Sequence, residues 1–389
     1  MTARNIAIVI VGVLLIAVKP AHLAEGATVS PSAEGAATER AHLRHVISAA
    51  SVSPDGHYLA LAERPLGIEN LRSSRGWLVD LVGVSVRQLP TYPYLSGFAW
   101  RPDSGALAYA THSSGLDIVS LSSNAHERLG RDSTAPLYCA VFAWPKWSPD
   151  GLALAFEGGA CDLGEDGGYS RQVLLEWNPS RDALSQEPRI VAKDMVGHKS
   201  FCWIPSSGEL LYLAEGPSST CLPPGTRRLP QPWTGTTVHM VSCRTGQSVA
   251  ATVLERGRGQ YLALFDPATG IVEFESPLQV TSNPPLWSPD GKKLLFALQM
   301  ARPYADVPCI LDVDSRTLSF FASDGLRGAM PIAWGTDHNG VQRLFFIDEK
   351  QESVVMSDLT GRTVSSVVTL SPDAVPAVSA QIGGCPRAQ

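Results

Sequence analysis

The chain is organised around a short motif that recurs along most of its length. The motif occurs in full as Trp147-Ser148-Pro149-Asp150-Gly151 and again at residues 287–291, each time before an apolar run. Looser copies begin at Val52, Trp100 and Trp203. Ser, Pro, Asp and Gly in this order suit a tight turn, because Pro presets φ, Asp accepts nearby N–H groups and Gly tolerates positive φ. Each copy therefore predicts a β-hairpin in which the strand that ends at Trp pairs with the apolar run.

The spacing of the copies predicts the fold. One blade of a β-propeller takes about 40–50 residues in four strands, and the turn glycines recur at nearly this interval once a further turn at Gly246 divides the longest gap. These glycines are Gly56, Gly105, Gly151, Gly208, Gly246 and Gly291, and Gly340 closes a seventh unit. The sequence thus predicts an all-β, seven-bladed β-propeller of four-stranded antiparallel blades, with six or eight blades as alternatives.

The Trp-Ser-Pro-Asp-Gly copies resemble the Pro-Asp type of WD-like repeat found in TolB and in the propeller domain of the prolyl oligopeptidase family. The resemblance covers most of residues 46–370 and implies the propeller fold. Because the motif builds a hairpin and not a site, it does not name a function.

Residues 1–26 have the pattern of a signal peptide. Arg4 is followed by an unbroken apolar run from Ile6 to Val18, and Ala24-Glu25-Gly26 is a suitable cleavage site. The run is shorter than the roughly 20 residues that cross a bilayer, and an uncleaved anchor is the alternative. We expect export to the periplasm or the extracellular space, with membrane contact only through an uncleaved leader. The predicted divisions are a signal peptide at 1–26, a linker at 27–45, the propeller at 46–371 and a C-terminal tail at 372–389.

Seven cysteines agree with export to an oxidising compartment. None forms a Cys-x-x-Cys pair, so the sequence gives little support for thiol redox chemistry or a zinc knuckle. A tight hairpin at the third motif would place Trp147 opposite Leu152 and bring Cys139 within one position of Cys161. We therefore predict a Cys139–Cys161 disulfide, with a bulge or a loop absorbing the slip.

The residues that carry chemistry are sparse. No Gly-x-Ser-x-Gly elbow and no His-x-His or His-Glu-x-x-His spacing occurs, so neither a serine hydrolase nor a metal site is predicted, and no cofactor is expected. His239 is interpreted as a core or surface histidine. The turn aspartates are expected to accept N–H bonds within their own turns. Residues 162–168 form an acidic, Gly-rich loop between the second and third strands of the third unit. A solvated hairpin tip is the preferred interpretation, and a calcium-binding loop is the alternative.

A formal net charge of −6 argues against nucleic acid as a partner. Residues 215–235 are rich in proline and predict a long loop, which either contacts a partner or is an inert insertion. Arg227-Arg228 in this loop is interpreted as a solvated loop tip. The leading hypothesis is a non-enzymatic binding or scaffolding module for a peptide or protein at the propeller face. The alternative is a propeller that gates substrate for a hydrolase, as the resemblance to the prolyl oligopeptidase family implies.

Overall fold

The computed structural model describes residues 45–378 except for 67–73, 91–92, 112–114, 130–142, 162–169, 178–187, 194, 196–198, 214–224, 230–235, 243–245, 282, 301–305, 322–323, 337–340, 349, 363 and 371–375. The described residues are almost entirely β, with 28 strands and one short 3-10 turn, Asp324–Leu326. Their strands form seven separate sheets that follow one another in chain order.

The first three sheets, blades one to three, have four strands each. They contain β1 (His45–Val52), β2 (Tyr58–Pro65), β3 (Arg75–Asp80) and β4 (Ser85–Gln88); β5 (Pro93–Trp100), β6 (Ala106–Thr111), β7 (Leu116–Ser120) and β8 (His126–Leu129); and β9 (Ala143–Trp147), β10 (Leu154–Cys161), β11 (Ser170–Trp177) and β12 (Arg189–Lys193).

The remaining sheets, blades four to seven, have three, four, four and five strands. They contain β13 (Phe201–Ile204), β14 (Glu209–Leu213) and β15 (Thr226–Leu229); β16 (Thr236–Ser242), β17 (Val249–Glu255), β18 (Gly259–Phe265) and β19 (Val272–Glu275); β20 (Leu286–Trp287), β21 (Lys293–Leu298), β22 (Val307–Asp312) and β23 (Thr317–Phe320); and β24 (Met330–Thr336), β25 (Gln342–Ile347), β26 (Ser353–Ser357), β27 (Val364–Leu370) and β28 (Pro376–Val378).

The first strands of the blades form a closed ring. Each contacts the first strand of the next blade, in the order β1, β5, β9, β13, β16, β20 and β24, and β24 contacts β1. The last strands of blades one, two and six are the most exposed of their sheets, as in Ser85–Gln88 and Thr317–Phe320. The fold is therefore a seven-bladed β-propeller with the first strand of each blade innermost, which confirms the prediction from the repeats.

The hydrophobic core consists of seven clusters, and each lies between two adjacent blades. Leu59 and Leu61 of β2 pack with Phe345 and Ile347 of blade seven, whereas Ala60 between them packs with blade two. Successive side chains of a strand point to opposite faces of its sheet, so a middle strand buried on both faces must be apolar at nearly every position. This explains why each repeat turn precedes a continuous apolar run.

Blades seven and one close the ring through specific backbone contacts. The N–H of Ile47 donates to the carbonyl of Gln351 at 2.6 Å. Gly56 has φ of +75°, and a Cβ at this position would lie 2.0 Å from the carbonyl oxygen of Thr336. The first repeat turn thus requires glycine both for its backbone conformation and for close contact with blade seven. Gly340, expected to close the turn of the seventh unit, lies outside the described residues.

The strand directions define two ends of the ring. The repeat turns, which join the first and second strands of a blade, lie at one end, called here the turn face. The connections from second to third strand and from blade to blade lie at the other end, called here the loop face. The acidic segment 162–169 lies between Cys161 and Ser170 in the sequence, which confirms that it connects β10 and β11, although its residues are outside those described.

Blades four and seven depart from the regular pattern. In blade four, β15 pairs with β14 in parallel. A parallel pair needs a crossover connection of about a dozen residues, and the chain between Leu213 and Thr226 provides that length. Residues 226–229, expected within a loop, therefore form a strand, and Leu229 is buried at 3% exposure. In blade seven, β28 adds a fifth strand beyond residue 371, where the sequence places the end of the propeller. The predicted domain boundaries stay predictions.

The register of the third hairpin also differs from the expected one. Trp147 pairs with Leu154, not with Leu152. The Ser148 N–H bonds to the Ala153 carbonyl at 2.8 Å, so the turn is longer than a tight hairpin would be. The reason is that the side chains of the turn bind its own N–H groups and hold these residues out of the ladder.

Candidate functional site

The repeat turns are held together by their own side chains. Ser148 donates from Oγ to Oδ1 of Asp150 at 2.5 Å, and the Leu152 N–H donates to the same oxygen at 3.0 Å. These bonds lower the pKa of Asp150, with the Ser148 hydroxyl as the largest cause. Equivalent N–H bonds are accepted by Asp55, Asp103 and Asp290. The interpretation of the turn aspartates as acceptors within their own turns is confirmed.

The tryptophan before each turn joins neighbouring blades. The indole N–H of Trp147 donates to the Ala99 carbonyl of the preceding blade at 3.1 Å. The equivalent bonds, 2.9–3.2 Å long, run from Trp100 to Ser51, from Trp203 to Lys146, from Trp287 to Val241 and from Trp334 to Leu286. Blades one and five carry Val52 and Ser242 at this position. The seams between blades seven and one and between blades four and five therefore lack this tryptophan.

Lys146 connects three blades beside the second of these seams. Its Nζ donates to the carbonyl oxygens of Phe201 at 2.7 Å and of Met240 at 2.8 Å. These residues lie in the inner strands β13 and β16, while Lys146 lies in β9. The ammonium also lies 4.6 Å from the centroid of the Phe201 ring. Lys146 thus joins blades three, four and five where the repeat tryptophan is missing.

A second lysine lies nearby at the beginning of the inner strands, towards the loop face. Nζ of Lys199 lies 3.0 Å from Nε2 of His239 and 3.3 Å from the centroid of the Trp144 ring. The backbone N–H of Lys199 donates to Oε1 of Glu157. Glu157 and His239 are 4% and 6% exposed, whereas Trp144, Lys146 and Lys199 are partly exposed. We call Trp144, Lys146, Glu157, Lys199 and His239 the lysine cluster.

Two residues of the lysine cluster have unusual backbone conformations. Trp144 has φ of 56° and Lys199 has φ of 60°, a region that bulky side chains rarely adopt. The ladder between β9 and β10 pairs Lys146 with Ala155 but Ala143 with Glu157, so Trp144 lies in a β-bulge. Bulges re-aim side chains, and residues in sparsely populated conformations concentrate at functional sites. The conformations support a functional hypothesis for this end of the ring.

The lysine cluster carries an excess of positive charge. Burial lowers the pKa of Lys146 to about 8, against the attraction of Cys202 and Glu157. Burial and the charge of Lys146 together lower the pKa of Lys199 to about 8, while Glu157 acts in the opposite direction. Nε2 of His239 lies within hydrogen-bond distance of Nζ of Lys199, at 3.0 Å. At neutral pH the cluster therefore holds two ammonium groups and one carboxylate.

Two other buried carboxylates have cations within their own blades. Glu63 in blade one contacts His45 and lies 3.1 Å from Nε of Arg75. Asp117 in blade two lies 3.2 Å from Nε2 of His126 and close to an arginine of the same blade. In both cases a carboxylate is the central group, and an arginine and a histidine lie beside it. Only a cationic centre, such as that of the lysine cluster, favours an anionic ligand.

Sequence reasoning missed most of the lysine cluster. His239, interpreted as a core or surface histidine, is a buried residue that contacts Lys199. A signal for Lys146 exists in the aligned repeats: the residue before the Trp position is Ser, Ala, Lys, Cys, Val, Leu and Ala in blades one to seven. Lys146 is the charged exception. The contacts with Glu157 and Lys199 have no such signal, because they depend on which blades become neighbours.

The remaining predicted site residues either lie outside the described residues or make other contacts. Cys139 and the acidic residues Asp162, Glu165 and Asp166 lie outside the described residues, so the disulfide with Cys161 stays a prediction. Arg227 is not at a loop tip, because it lies in β15 and pairs with Glu209 at 3.0 Å. Among the described residues, no group of three or more His, Cys, Asp or Glu side chains could hold a metal ion. No described helix is long and apolar enough to span a membrane.

Comparison with known proteins gives similarity of fold. No protein-family model matches the chain, and no curated protein matches it significantly. Many solved structures are similar. TolB from Acinetobacter baumannii is 15% identical, with a TM-score of 0.42, over 70% of this chain and 53% of that chain, so the match spans about half of TolB. Hydrazine synthase from Kuenenia stuttgartiensis is 15% identical, with a TM-score of 0.43, over 80% of this chain and 76% of that chain.

The resemblance to TolB-like propellers that the repeats predict is confirmed as a likeness of fold. At such identities and TM-scores we base no argument about function on either structure. The resemblance to the prolyl oligopeptidase family stays a prediction. The functional argument therefore depends on the residues of this chain.

Proposed function

We propose that the chain is an exported β-propeller that binds a peptide or protein partner on its loop face, without catalysis of its own. The observation that carries the proposal is the lysine cluster. It brings an indole ring from blade three, a histidine from blade five and a cation from the connection into blade four to one partly exposed place at this end of the ring. A propeller is a rigid ring whose connections vary, and binding residues concentrate on such connections.

The two faces differ in how free they are to bind. The turn face consists of tight turns whose polar side chains are engaged with their own backbone, as at Asp150. Two depressions lie there, of about 480 and 550 Å³, and both are lined mainly by turn residues such as Pro149 and Pro267. On the loop face, Lys199 and Trp144 present a cation and an aromatic ring together. Aromatic and cationic side chains are the groups that most often anchor a partner.

The choice of face is tested by site-specific photo-crosslinking in the host cell. Arg256 in the turn between β17 and β18 lies on the loop face, and Lys292 lies on the turn face; both side chains are exposed. A benzoylphenylalanine placed at Arg256 should cross-link one discrete partner, and the same probe at Lys292 should not. Cross-links at Lys292 alone would place the partner on the other face. Absence of partner adducts at both positions would overturn the binding function.

Export and lack of catalysis are tested separately. We expect the exported chain to begin near Ala27, which intact mass measurement decides, and a membrane-bound product that retains residues 1–26 would contradict it. We expect the purified chain not to hydrolyse p-nitrophenyl esters or short peptides, because no activated nucleophile with base and oxyanion donors is recognisable in its sequence. Turnover above a heat-killed control that depends on one serine would favour the hydrolase alternative.

A further inference from the structure

We infer that the lysine cluster is a binding site for a carboxylate, with Lys199 as the residue that contacts the ligand and Trp144 as the surface beside it. This inference deepens the proposed function, on which it rests, by naming the chemistry that the loop face recognises. The ligand is either the free carboxyl terminus of a peptide or a small organic acid, since both present the same group.

The first argument is the charge of the cluster. Among the described residues, the ammonium groups of Lys146 and Lys199 lie beside one carboxylate, Glu157, and that carboxylate already accepts the backbone N–H of Lys199. Nε2 of His239 lies 3.0 Å from the Lys199 ammonium and helps to position it. A partly desolvated site with one positive charge in excess favours a monoanion, because the anion neutralises that charge and no further cation has to be buried with it.

The second argument is that the two lysines make different contacts. Lys146 directs two N–H groups to the carbonyls of Phe201 and Met240, and these bonds join the blades. Lys199 makes its described contacts with the Trp144 ring and His239, at the partly exposed side of the cluster. An ammonium has three N–H donors, and the ring and the histidine orient the Lys199 group. Lys199 is thus held in place with donor capacity for a ligand.

The third argument concerns the type of anion. Arginine binds phosphate through a bidentate fork, whereas lysine binds an anion as a point charge, and the five residues of the lysine cluster include no arginine. A single oriented ammonium beside an indole ring suits a carboxylate whose adjacent carbon atoms lie on the ring. The unusual backbone conformations of Trp144 and Lys199 hold the ring and the ammonium in this arrangement.

The test is isothermal titration calorimetry of the full chain with three probes. They are the peptide acetyl-Ala-Leu-Ala-Phe with a free carboxyl terminus, the same peptide as its C-terminal amide, and hexanoate. A charge-assisted hydrogen bond contributes enough that the amide should bind roughly 10- to 100-fold more weakly than the acid. Binding of the acid should weaken as salt is added, because the interaction is between charges. Hexanoate as tight as the peptide acid identifies a small organic acid, and a much tighter peptide acid identifies a peptide terminus.

Variants assign the contact to Lys199. Lys199→Gln should weaken acid binding by roughly 10- to 100-fold while the amide is unaffected, and Lys199→Arg should keep most of the affinity. Lys292→Gln, on the turn face, is the matched control and should bind as the wild type does. Circular dichroism checks that every variant is folded; if Lys199→Gln does not fold, the comparison of acid with amide in the wild type decides.

Equal binding of acid and amide, no binding of either acid, or unchanged acid binding by folded Lys199→Gln would overturn the carboxylate site. The partner cross-link at Arg256 is an independent readout. If it persists while both acids fail to bind, the carboxylate site is wrong and the binding function stands. If acids bind but no partner cross-links, the site stands as a small-molecule site and the protein-binding function is wrong.

Discussion

The contribution of a tryptophan hydrogen bond between blades to stability can be measured by comparing two tryptophans that differ in one respect. Trp147 and Trp77 are both 8% exposed. The Trp147 indole N–H donates to the Ala99 carbonyl across a blade seam, whereas the Trp77 indole N–H is buried without an acceptor in the described structure. Changing each residue to Phe removes a similar amount of buried ring, so the difference between the variants reports the hydrogen bond.

The magnitude follows from the two environments. Trp147→Phe loses the hydrogen bond to the Ala99 carbonyl, at a net cost of about 1 kcal/mol. Trp77→Phe loses the same packing but removes a buried unsatisfied donor, which recovers about 1–3 kcal/mol. We expect Trp147→Phe to be less stable than Trp77→Phe by about 2–4 kcal/mol. For a domain of this length, unfolding entropy is about 0.7 kcal/mol per kelvin, so the Tm values should differ by about 3–6 °C.

The assay is thermal unfolding followed by far-ultraviolet circular dichroism, repeated in urea. Agreement between heat and urea, and between different spectroscopic probes, checks that the ring unfolds as one unit. Equal destabilisation by the two substitutions would show that the indole bond contributes nothing beyond packing. A larger loss for Trp77→Phe would refute the reasoning.

Three further predictions concern Lys146, Asp150 and the cysteine pair Cys139 and Cys161. Lys146→Met should destabilise the chain by about 2–4 kcal/mol in urea unfolding, because two carbonyls lose their donor. The folded pKa of Lys146 is lowered to about 8, so the unfolded chain binds more protons than the folded one between pH 8 and 10. The stability of the wild type should therefore rise over this range, and the rise should be smaller in the variant. Asp150→Asn should remove part of the loss of stability at acid pH, because the folded pKa of Asp150 is lowered and the stabilisation disappears as pH falls through it; identical acid unfolding profiles would contradict this. Peptide mapping without reductant should find Cys139 joined to Cys161, as the positions of the two cysteines before and after the third repeat turn predict; alkylation of either as a free thiol would exclude the bond.

The accuracy of sequence reasoning differed between backbone and site for physical reasons. The turns could be predicted because Ser, Pro, Asp and Gly act through local φ preferences and contacts close in sequence, as at Ser148 and Ala153. The register of the same hairpin was wrong by two positions, because side-chain bonds within the turn enlarged it. The strand at residues 226–229 was missed because its partner, β14, is reached only through a crossover and not through a hairpin.

The sequence by itself determined that the chain forms a propeller, because a repeat that specifies the same hairpin about once per blade produces units that can bury their apolar faces only against one another. Counting the copies also predicted seven blades with six or eight as alternatives, and the closed ring of seven sheets decided for seven. Only the tertiary structure decided where a functional site could lie. Trp144 belongs to blade three, His239 to blade five and Lys199 to the connection that leads into blade four, and their side chains meet because the ring closes and aligns the inner strands. That contact depends on the packing of whole blades, for which no local pattern in the sequence provides a signal.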